Sequence, residues 1–319
     1  MKSKDNNDLI SVENAQEIIF SKFKKLQSIK KKLIDSNGFI LDEEINALFD
    51  LPNKNNSAMD GFAVRHDDLE INKSLRVVGR VGAESVTDYI IKKDEAMRIM
   101  TGSGIPKGAD SVVPFENTNN NPHKGNDFPD TVLINEIVNK GDNIRLSGQD
   151  YKFGETVVEN GMLIDPAIIG AIASFGINEV NVIRKPIVSL ISTGNELVMP
   201  GEKLNEGQIY DSNSYAISAA INSSGAECKM HKILSDKKED VDKLYENCSQ
   251  SDLIVTIGGV SKGDFDLIRD AISSKGNIDF WGINMKPGKP LAFGKVVLNN
   301  KEVFHIGLPG NPVSSYVCF

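Results

Sequence analysis

One stretch of the sequence indicates the fold class: Ser251-Asp252-Leu253-Ile254-Val255-Thr256-Ile257-Gly258-Gly259-Val260-Ser261. Within it, residues 253–257 form a mostly apolar, partly β-branched run, which two glycines follow. Such a run predicts a buried strand, and the glycines predict a tight turn after it. Because glycine has no Cβ atom, the backbone N–H groups of this turn can approach an anion closely. A strand-to-helix turn without any ligand is an equally good interpretation of this stretch alone.

The sequence around this stretch, from Pro186 onward, alternates between two kinds of segment. Strands are predicted at 187–192, 229–234, 253–257, 278–283, 291–298 and 303–306, and helices at 214–223, 241–248 and 266–273. This alternation predicts a doubly wound, mainly parallel sheet with helices on its faces. Ligands of such sheets bind beyond the C-terminal ends of the strands, where the glycine turn also falls.

The first half of the chain has a different pattern. An amphipathic helix is predicted at 11–35 with Ser11 as its N-cap, a second helix at 41–49, and a short apolar helix at 168–175. Residues 53–143 carry short apolar runs separated by Gly, Asn and Pro, which favours a small β domain with an exposed loop at 117–130. At 319 residues the chain is long enough for two or three domains.

The composition excludes several classes of function. The net charge of −8 argues against a basic face for nucleic acid. No apolar run approaches the ~20 residues that span a bilayer, so no membrane segment is expected. The three cysteines are widely separated and predict neither a disulfide framework nor a zinc knuckle, which favours the cytoplasm. The four histidines show no ligand spacing and are interpreted as structural.

A second motif, Met285-Lys286-Pro287-Gly288-Lys289-Pro290, contains two lysines three residues apart. The flanking prolines favour polyproline II, in which three residues make one turn, so both ammonium groups would point to the same side. That arrangement suits a phosphate or another oxyanion. The competing interpretation is a pair of surface lysines on a loop.

Several carboxylates fall at predicted loop positions. Glu196 follows a strand, Asp211 and Asp266 precede or begin helices, and Asp60 precedes a glycine. Oxygen ligands at strand ends can hold Mg²⁺. Helix capping explains Asp211 and Asp266 equally well, and a plain Asp-Gly turn explains Asp60.

Taken together, the motifs occur in one order along almost the whole chain. They are Asn56-Ser57-Ala58-Met59-Asp60-Gly61, Met100-Thr101-Gly102 with Pro106 and Gly108-Ala109-Asp110, Arg145 with Gly148 and Asp150, Ser192-Thr193-Gly194-Asn195-Glu196-Leu197, Tyr210-Asp211-Ser212-Asn213, Gly258-Gly259-Val260-Ser261, Lys286-Pro287-Gly288-Lys289-Pro290 and Gly307-Leu308-Pro309-Gly310-Asn311-Pro312. This ordered set resembles the molybdopterin molybdenumtransferases of the MoeA and gephyrin E-domain family. Each motif is weak alone, whereas their order is highly specific.

The resemblance implies a reaction and a set of residues. Adenylylated molybdopterin and molybdate would be the substrates, the phosphoanhydride would be hydrolysed with Mg²⁺, and AMP would leave. The implied catalytic residues are Asp60, Thr101, Asp150, Glu196, Asp211 and Asp266, with Mg²⁺ on Glu196 and Asp266. The implied binding residues are Gly258, Gly259, Val260, Ser261, Lys286, Lys289, Pro290 and Ser314.

The resemblance also implies an α/β and β multidomain architecture. Residues 1–52 and 142–185 would form a discontinuous helical dimerisation domain, 53–141 an inserted β domain, and 186–319 the molybdopterin-binding α/β domain. A C-terminal β domain would be absent, and the unfinished helix at Phe319 gives the same expectation of a truncated chain. Lys262 and Gln149 stand where the family usually has an apolar residue and an acid.

A homodimer is implied, with Asp60, Thr101 and Asp150 of one subunit facing Glu196, Asp211, Asp266, Lys286 and Lys289 of the other. Transient contacts with a molybdopterin adenylyltransferase and with proteins that mature molybdoenzymes are further expectations. Two alternatives stay open: an enzyme like the molybdopterin adenylyltransferases, which share the glycine loop, and an inactive scaffold of the gephyrin type.

Overall fold

The computed structural model describes residues 9–82, 87–119, 129–233, 245–258 and 272–319. Its helices are α1 (Val12–Lys22), α2 (Pro166–Ser174), α3 (Ser212–Ser223) and α4 (Pro312–Cys318). Its strands are β1 (Ser28–Lys32), β2 (Ile40–Leu41), β3 (Ile45–Asn46), β4 (Asn56–Ser57), β5 (Gly61–Val64), β6 (Ser74–Val81), β7 (Glu95–Ile99), β8 (Ser111–Pro114), β9 (Thr131–Leu133), β10 (Ile144–Arg145), β11 (Thr156–Val158), β12 (Glu179–Ile183), β13 (Ile187–Ser192), β14 (Leu197–Val198), β15 (Ile209–Tyr210), β16 (Glu227–Met230), β17 (Leu253–Ile257), β18 (Gly276–Trp281), β19 (Ala292–Leu298) and β20 (Lys301–Leu308).

The chain divides into two compact units. The first unit contains Met1–Lys31, Gly38–Asp42 and Asn181–Phe319, and the second contains Lys32–Asn37 and Glu43–Val180. Among the described residues, no helix has the length and apolar character needed to cross a membrane.

The first unit is built on a six-stranded sheet in the order β16-β13-β17-β20-β19-β18. The first four strands run parallel, and β19 and β18 are antiparallel to their neighbours, so the predicted mainly parallel α/β sheet is confirmed. Both faces of β17 are buried: Ile254 packs in one core cluster, and Val255 and Ile257 pack in the other. Burial on both faces explains why the strand is apolar at almost every position.

The order of the strands reverses direction between β13 and β17. From β13 the chain first moves outward to β16 and then returns to the other side of β13 as β17. Connections that leave in opposite directions open a crevice at the C-terminal ends of these two strands, which is where ligands of doubly wound sheets bind. The glycine turn after β17 therefore falls at the switch point of the sheet.

The predicted helix at 11–35 is wrong beyond Lys22. Ser11 caps α1 by accepting a hydrogen bond from the Asn14 N–H (3.1 Å), as predicted, but Phe23 leaves the helix with extended backbone. The Phe23 ring packs 4.6 Å from that of Phe304, and residues 28–32 become β1 of a sheet in the order β1-β12-β2. Pairing with a strand distant in sequence overrides the local helical spacing.

The predicted helix at 41–49 is also wrong. Its residues contribute β2 and β3, and β3 pairs antiparallel with β11. A nine-residue window is too short for apolar spacing to separate a helix from strands. The helix predicted at 168–175 is present as α2 with Asp165 as its cap. Half of the helix predicted at 241–248 lies outside the described residues, and its described residues 245–247 are helical. Most of the helix predicted at 266–273 and of the loop predicted at 117–130 lies outside them.

The second unit contains the predicted β structure. Its main sheet has the order β8-β5-β7-β6-β9, and Phe62, Val64, Leu75 and Val113 lie in the core on one face. Two small antiparallel pairs, β10 with β4 and β11 with β3, extend the unit. The exact domain bounds given by the sequence remain a prediction.

One histidine, His305, is buried without a polar partner in the described part of the chain. His305 on β20 is fully buried, and among the described residues neither ring nitrogen has a hydrogen-bond partner. Its ring centroid lies 6.0 Å from that of Tyr245, whose hydroxyl likewise has no hydrogen-bond partner among the described residues. Burial without a partner disfavours the charged imidazolium and lowers the pKa of His305 to about 3.

This histidine predicts a pH-dependent loss of stability. The ordinary pKa of histidine is near 6.5, so below that pH the unfolded state binds a proton that the folded state excludes. The free energy of unfolding therefore falls by up to about 1.4 kcal/mol for each unit by which the pH is lowered. His305→Leu should lose less stability than the parent protein between pH 7 and pH 5, as measured by urea unfolding. His66→Gln, at a partly exposed position, is the control. Parallel pH profiles for His305→Leu and the parent would contradict the prediction.

Candidate functional site

The first group of predicted residues lies around the switch point of the six-stranded sheet. The Gly258 N–H donates to the Leu308 carbonyl (3.1 Å), and the Thr193 N–H donates to the Ile257 carbonyl (3.0 Å). Gly258 has φ 84°, and a Cβ atom there would lie 2.7 Å from the Thr193 carbonyl oxygen. The glycine is therefore required by the close approach of the ends of β13 and β17. Gly259, Val260 and Ser261 lie outside the described residues.

The end of β20 joins the same edge of the sheet. Asn213, near the start of α3, donates from Nδ2 to the Gly310 carbonyl (2.7 Å), and a Cβ atom on Gly310 would lie 3.6 Å from the Gly258 Cα. Asn311 caps α4 by accepting a hydrogen bond from the Ser314 N–H at 3.1 Å. The N-termini of α3 and α4 therefore lie beside Gly258.

The lysine motif packs against α4. Gly288 is buried, and a Cβ atom there would come within 2.5 Å of Met285 Cε and 2.6 Å of Cys318 Sγ. The Cys318 thiol also donates to the Gly288 carbonyl (3.3 Å). Both lysines on either side of Gly288 are exposed and Pro290 is half-buried.

The predicted polyproline II conformation of this motif is wrong. The Lys286–Pro287 peptide bond is cis and Gly288 has φ 108°, outside the polyproline II region. The segment is a tight loop held by its packing on α4, and the two lysines flank the buried glycine within that loop. Packing, and not proline stiffness, fixes their place.

The predicted carboxylates of this unit have different environments. The Glu196 side chain is exposed and folds back over Gly194, where a Cβ atom would lie 2.7 Å from Oε1. Asp211 is buried, caps α3 through the Ser214 N–H (3.0 Å) and accepts from the Ser214 hydroxyl at 2.6 Å. The capping interpretation of Asp211 is thus confirmed, whereas its catalytic role remains a prediction. Asp266 lies outside the described residues.

The second unit brings together the remaining predicted residues. Both the N–H and the hydroxyl of Thr101 donate to Asp60 Oδ1 at 2.7 Å. Arg145 donates to Asp150 at 2.5 Å, and the partly exposed pair sits at the end of β10, which pairs with β4 just before Asp60. The simple-turn interpretation of Asp60 is therefore incomplete, because its carboxylate is oriented by Thr101.

Sequence reasoning missed a cavity next to the Glu196 loop. It has a volume of about 730 Å³ and is lined by residues of that loop, of α3 and of the end of β16, among them Asn195, Met199, Tyr215 and His231. His231 Nε2 lies 2.8 Å from the Ser189 hydroxyl, so this histidine is tied to the core as the sequence suggested. Only the fold places residues 194–202 beside residues 230–233, and no local signal indicated the cavity.

No resident metal cluster is built from the described residues, which contain no group of three or more His, Cys, Asp or Glu side chains able to hold a metal ion. Glu196 is the described member of the predicted Mg²⁺ pair.

Comparison with known proteins finds a matching family for each half of the chain. A family model for the MoeA N-terminal region (domains I and II) matches residues 10–176, and one for a probable molybdopterin binding domain matches residues 189–319. The molybdopterin molybdenumtransferase of Haemophilus influenzae is 37% identical over 281 residues, which are 88% of this chain and 67% of the relative. That of Staphylococcus epidermidis is 36% identical over 319 residues, 97% and 73% of the two chains.

The chain belongs to the MoeA family. A crystal structure of a MoeA protein of molybdopterin biosynthesis from Pyrococcus horikoshii has the same fold, with a TM-score of 0.75 and 32% identity over 96% of this chain and 76% of the other. The family resemblance and fold class predicted from the motifs are thus confirmed, and the chain is a transferase of molybdenum cofactor biosynthesis. It spans two thirds to three quarters of the length of these MoeA relatives.

The close approach at the switch point gives a prediction for this MoeA chain. Gly258→Ala should lower the free energy of unfolding by roughly 1–3 kcal/mol more than Gly207→Ala does, because the added methyl meets the Thr193 carbonyl. Gly207 is a matched control: its φ of 81° is almost the same, but no atom lies within 4 Å of the added Cβ. Urea unfolding measures the difference, and equal losses would rule out crowding at Gly258.

Proposed function

We propose that this MoeA protein transfers molybdenum from molybdate to adenylylated molybdopterin at the C-terminal edge of its parallel sheet, with release of AMP. The main support for this proposal is the position of Lys286 and Lys289 on a loop that packs against α4. The end of β20 and Gly258 lie at the same edge of the sheet. Both lysines are exposed, so their charges are available to a ligand. Phosphate and molybdate are the anions that such a pair would neutralise.

The lysine pair should contribute to binding more than to stability. Lys286→Ala and Lys289→Ala should each weaken binding of adenylylated molybdopterin by about 5- to 150-fold, corresponding to roughly 1–3 kcal/mol for a charged contact. Their melting temperatures should stay close to that of the parent because both side chains are exposed. Lys203→Ala, at another exposed loop lysine, should leave affinity unchanged in the same calorimetric titration. Unchanged affinity in both loop variants would exclude an anion-binding role.

The carboxylates provide the chemical step in this proposal. Glu196 is exposed beside the switch point and offers hard oxygen ligands of the kind Mg²⁺ prefers, and Asp266 is the proposed second ligand. Bound Mg²⁺ would neutralise charge that develops on the cleaved phosphoanhydride. Asp211 supports the site by fixing α3, whose Asn213 holds Gly310. Asp60, oriented by Thr101, and Asp150, paired with Arg145, are proposed to face the reacting end of the substrate.

We further propose that each site is shared between the two subunits of a homodimer. Asp60, Thr101 and Asp150 belong to the second unit, whereas Glu196 and both lysines belong to the first. Pairing the second unit of one subunit with the first unit of its partner would combine the two sets. The family resemblance is the support for this arrangement.

Mixed dimers test the shared site directly. Asp60→Asn and Glu196→Gln should each abolish turnover in the homodimer with little loss of substrate affinity, because a carboxylate does not attract a polyanion. Random mixing of the two variants should restore about a quarter of the parent activity, since half of the dimers then contain one intact site of two. If the two residues act within one subunit, mixing restores nothing. Mixing two preparations of Asp60→Asn is the control.

The adenylyltransferase alternative fits the chain less well. A molybdopterin adenylyltransferase would account for the α/β half of the chain. It would not account for residues 10–176, which match the MoeA N-terminal region.

The proposed function also includes a location and protein partners. We propose a cytoplasmic location, transient contact with the adenylyltransferase that supplies the substrate, and contact with proteins that receive the product.

A further inference from the structure

Two lysines converge on one aromatic ring in the first unit. Lys31 Nζ lies 4.6 Å from the centroid of the Phe39 ring, and Lys185 Nζ lies 4.8 Å from it. The three residues come from β1, the turn before β2 and the link between β12 and β13. The negative face of the ring attracts each ammonium group. The two charges are therefore no farther apart than the sum of these two distances.

These two cations differ from their neighbours. Arg184 forms two 2.7 Å hydrogen bonds with Asp252, Lys25 pairs with Asp42, and Lys22 lies 3.3 Å from Asp279. In the part of the chain that the structure describes, neither Lys31 nor Lys185 has a carboxylate within ion-pair distance. An aromatic ring orients a cation but removes none of its charge, so two positive charges remain for an external anion.

A strand edge runs next to this cation pair. Lys31 lies on β1, which is the outer strand of the sheet β1-β12-β2, and no further strand is paired beyond it among the described residues. Four of the five β1 residues are exposed. Such an edge accepts an extended peptide through backbone hydrogen bonds. Lysines on it disfavour neutral or basic strands and favour an acidic one.

We propose that the outer edge of β1, with Lys31 and Lys185 oriented by Phe39, binds an extended acidic segment of a partner protein. The chain as a whole carries a net charge of −8 and therefore repels an acidic segment. The two positive charges of Lys31 and Lys185 attract it locally and would direct it to the edge of β1. Lys185 precedes β13, whereas Glu196 follows it, so the two sites lie at opposite ends of a strand roughly 20 Å long. A segment bound at β1 leaves the substrate site open, and the proposal does not rest on the proposed function.

The test uses a fluorescent, acetylated peptide of about eight residues that alternates Glu and Thr, titrated with the full chain and followed by anisotropy. Lys31→Gln/Lys185→Gln, at two half-buried positions, should weaken binding about fivefold, the size expected for two partly solvated charge contacts. Phe39→Leu should weaken it as well, although it changes no charge. The control Lys107→Gln/Lys203→Gln removes two exposed lysines without an ion pair among the described residues and should have no effect.

Three outcomes would overturn the proposal. Equal weakening by the control pair would mean that bulk charge governs binding. Equal binding of a peptide with the same side chains and alternate N-methylated amides would exclude pairing with the β1 edge. Displacement of the peptide by inorganic phosphate, at matched ionic strength and in the parent but not in Lys31→Gln/Lys185→Gln, would identify a small-anion site instead. Thermal unfolding of every variant confirms that each is folded.

Discussion

The close approach of the Thr193 carbonyl to Gly258 is the constraint on which the candidate site depends. It brings the ends of β13 and β17 together at the point where the strand order reverses. A side chain at position 258 would force these ends apart, and the hydrogen bond from Gly258 to Leu308 would be lost with them. The glycine thus aligns the C-terminal ends of β13, β17 and β20.

Much of the architecture around this point serves to hold polar groups at one edge. The buried Asp211 carboxylate accepts hydrogen bonds from the N–H and the hydroxyl of Ser214, which fixes the start of α3. Asn213 then holds the Gly310 carbonyl, and Asn311 begins α4, on which the lysine loop rests. Polar groups that hydrogen-bond within the protein thus provide order, while the exposed Glu196, Lys286 and Lys289 provide charge. Because the charged groups are exposed, they stay hydrated until a bound ligand replaces the water around them.

The second unit follows a different principle. Its polar residues are oriented by each other at the surface: Thr101 holds Asp60, and Arg145 holds Asp150. Antiparallel pairing of β10 with β4 joins the segment that carries Arg145 to the segment that precedes Asp60, although the two are distant in sequence. The unit therefore offers two oriented carboxylates, which fits the role in positioning and chemistry that we propose for them.

The sequence alone determined the class of fold, because apolar runs such as 253–257 record burial on both faces, and the ordered motifs determined the family. It also identified Ser11 and Asp211 as candidate caps at the start of helices, since capping is local. Three features could be established from the folded chain alone: residues 28–32 form a strand, packing on α4 and not polyproline II holds the lysine loop, and Thr101 orients Asp60. Each of these depends on contacts between residues far apart in the chain, and local spacing carries no record of such contacts.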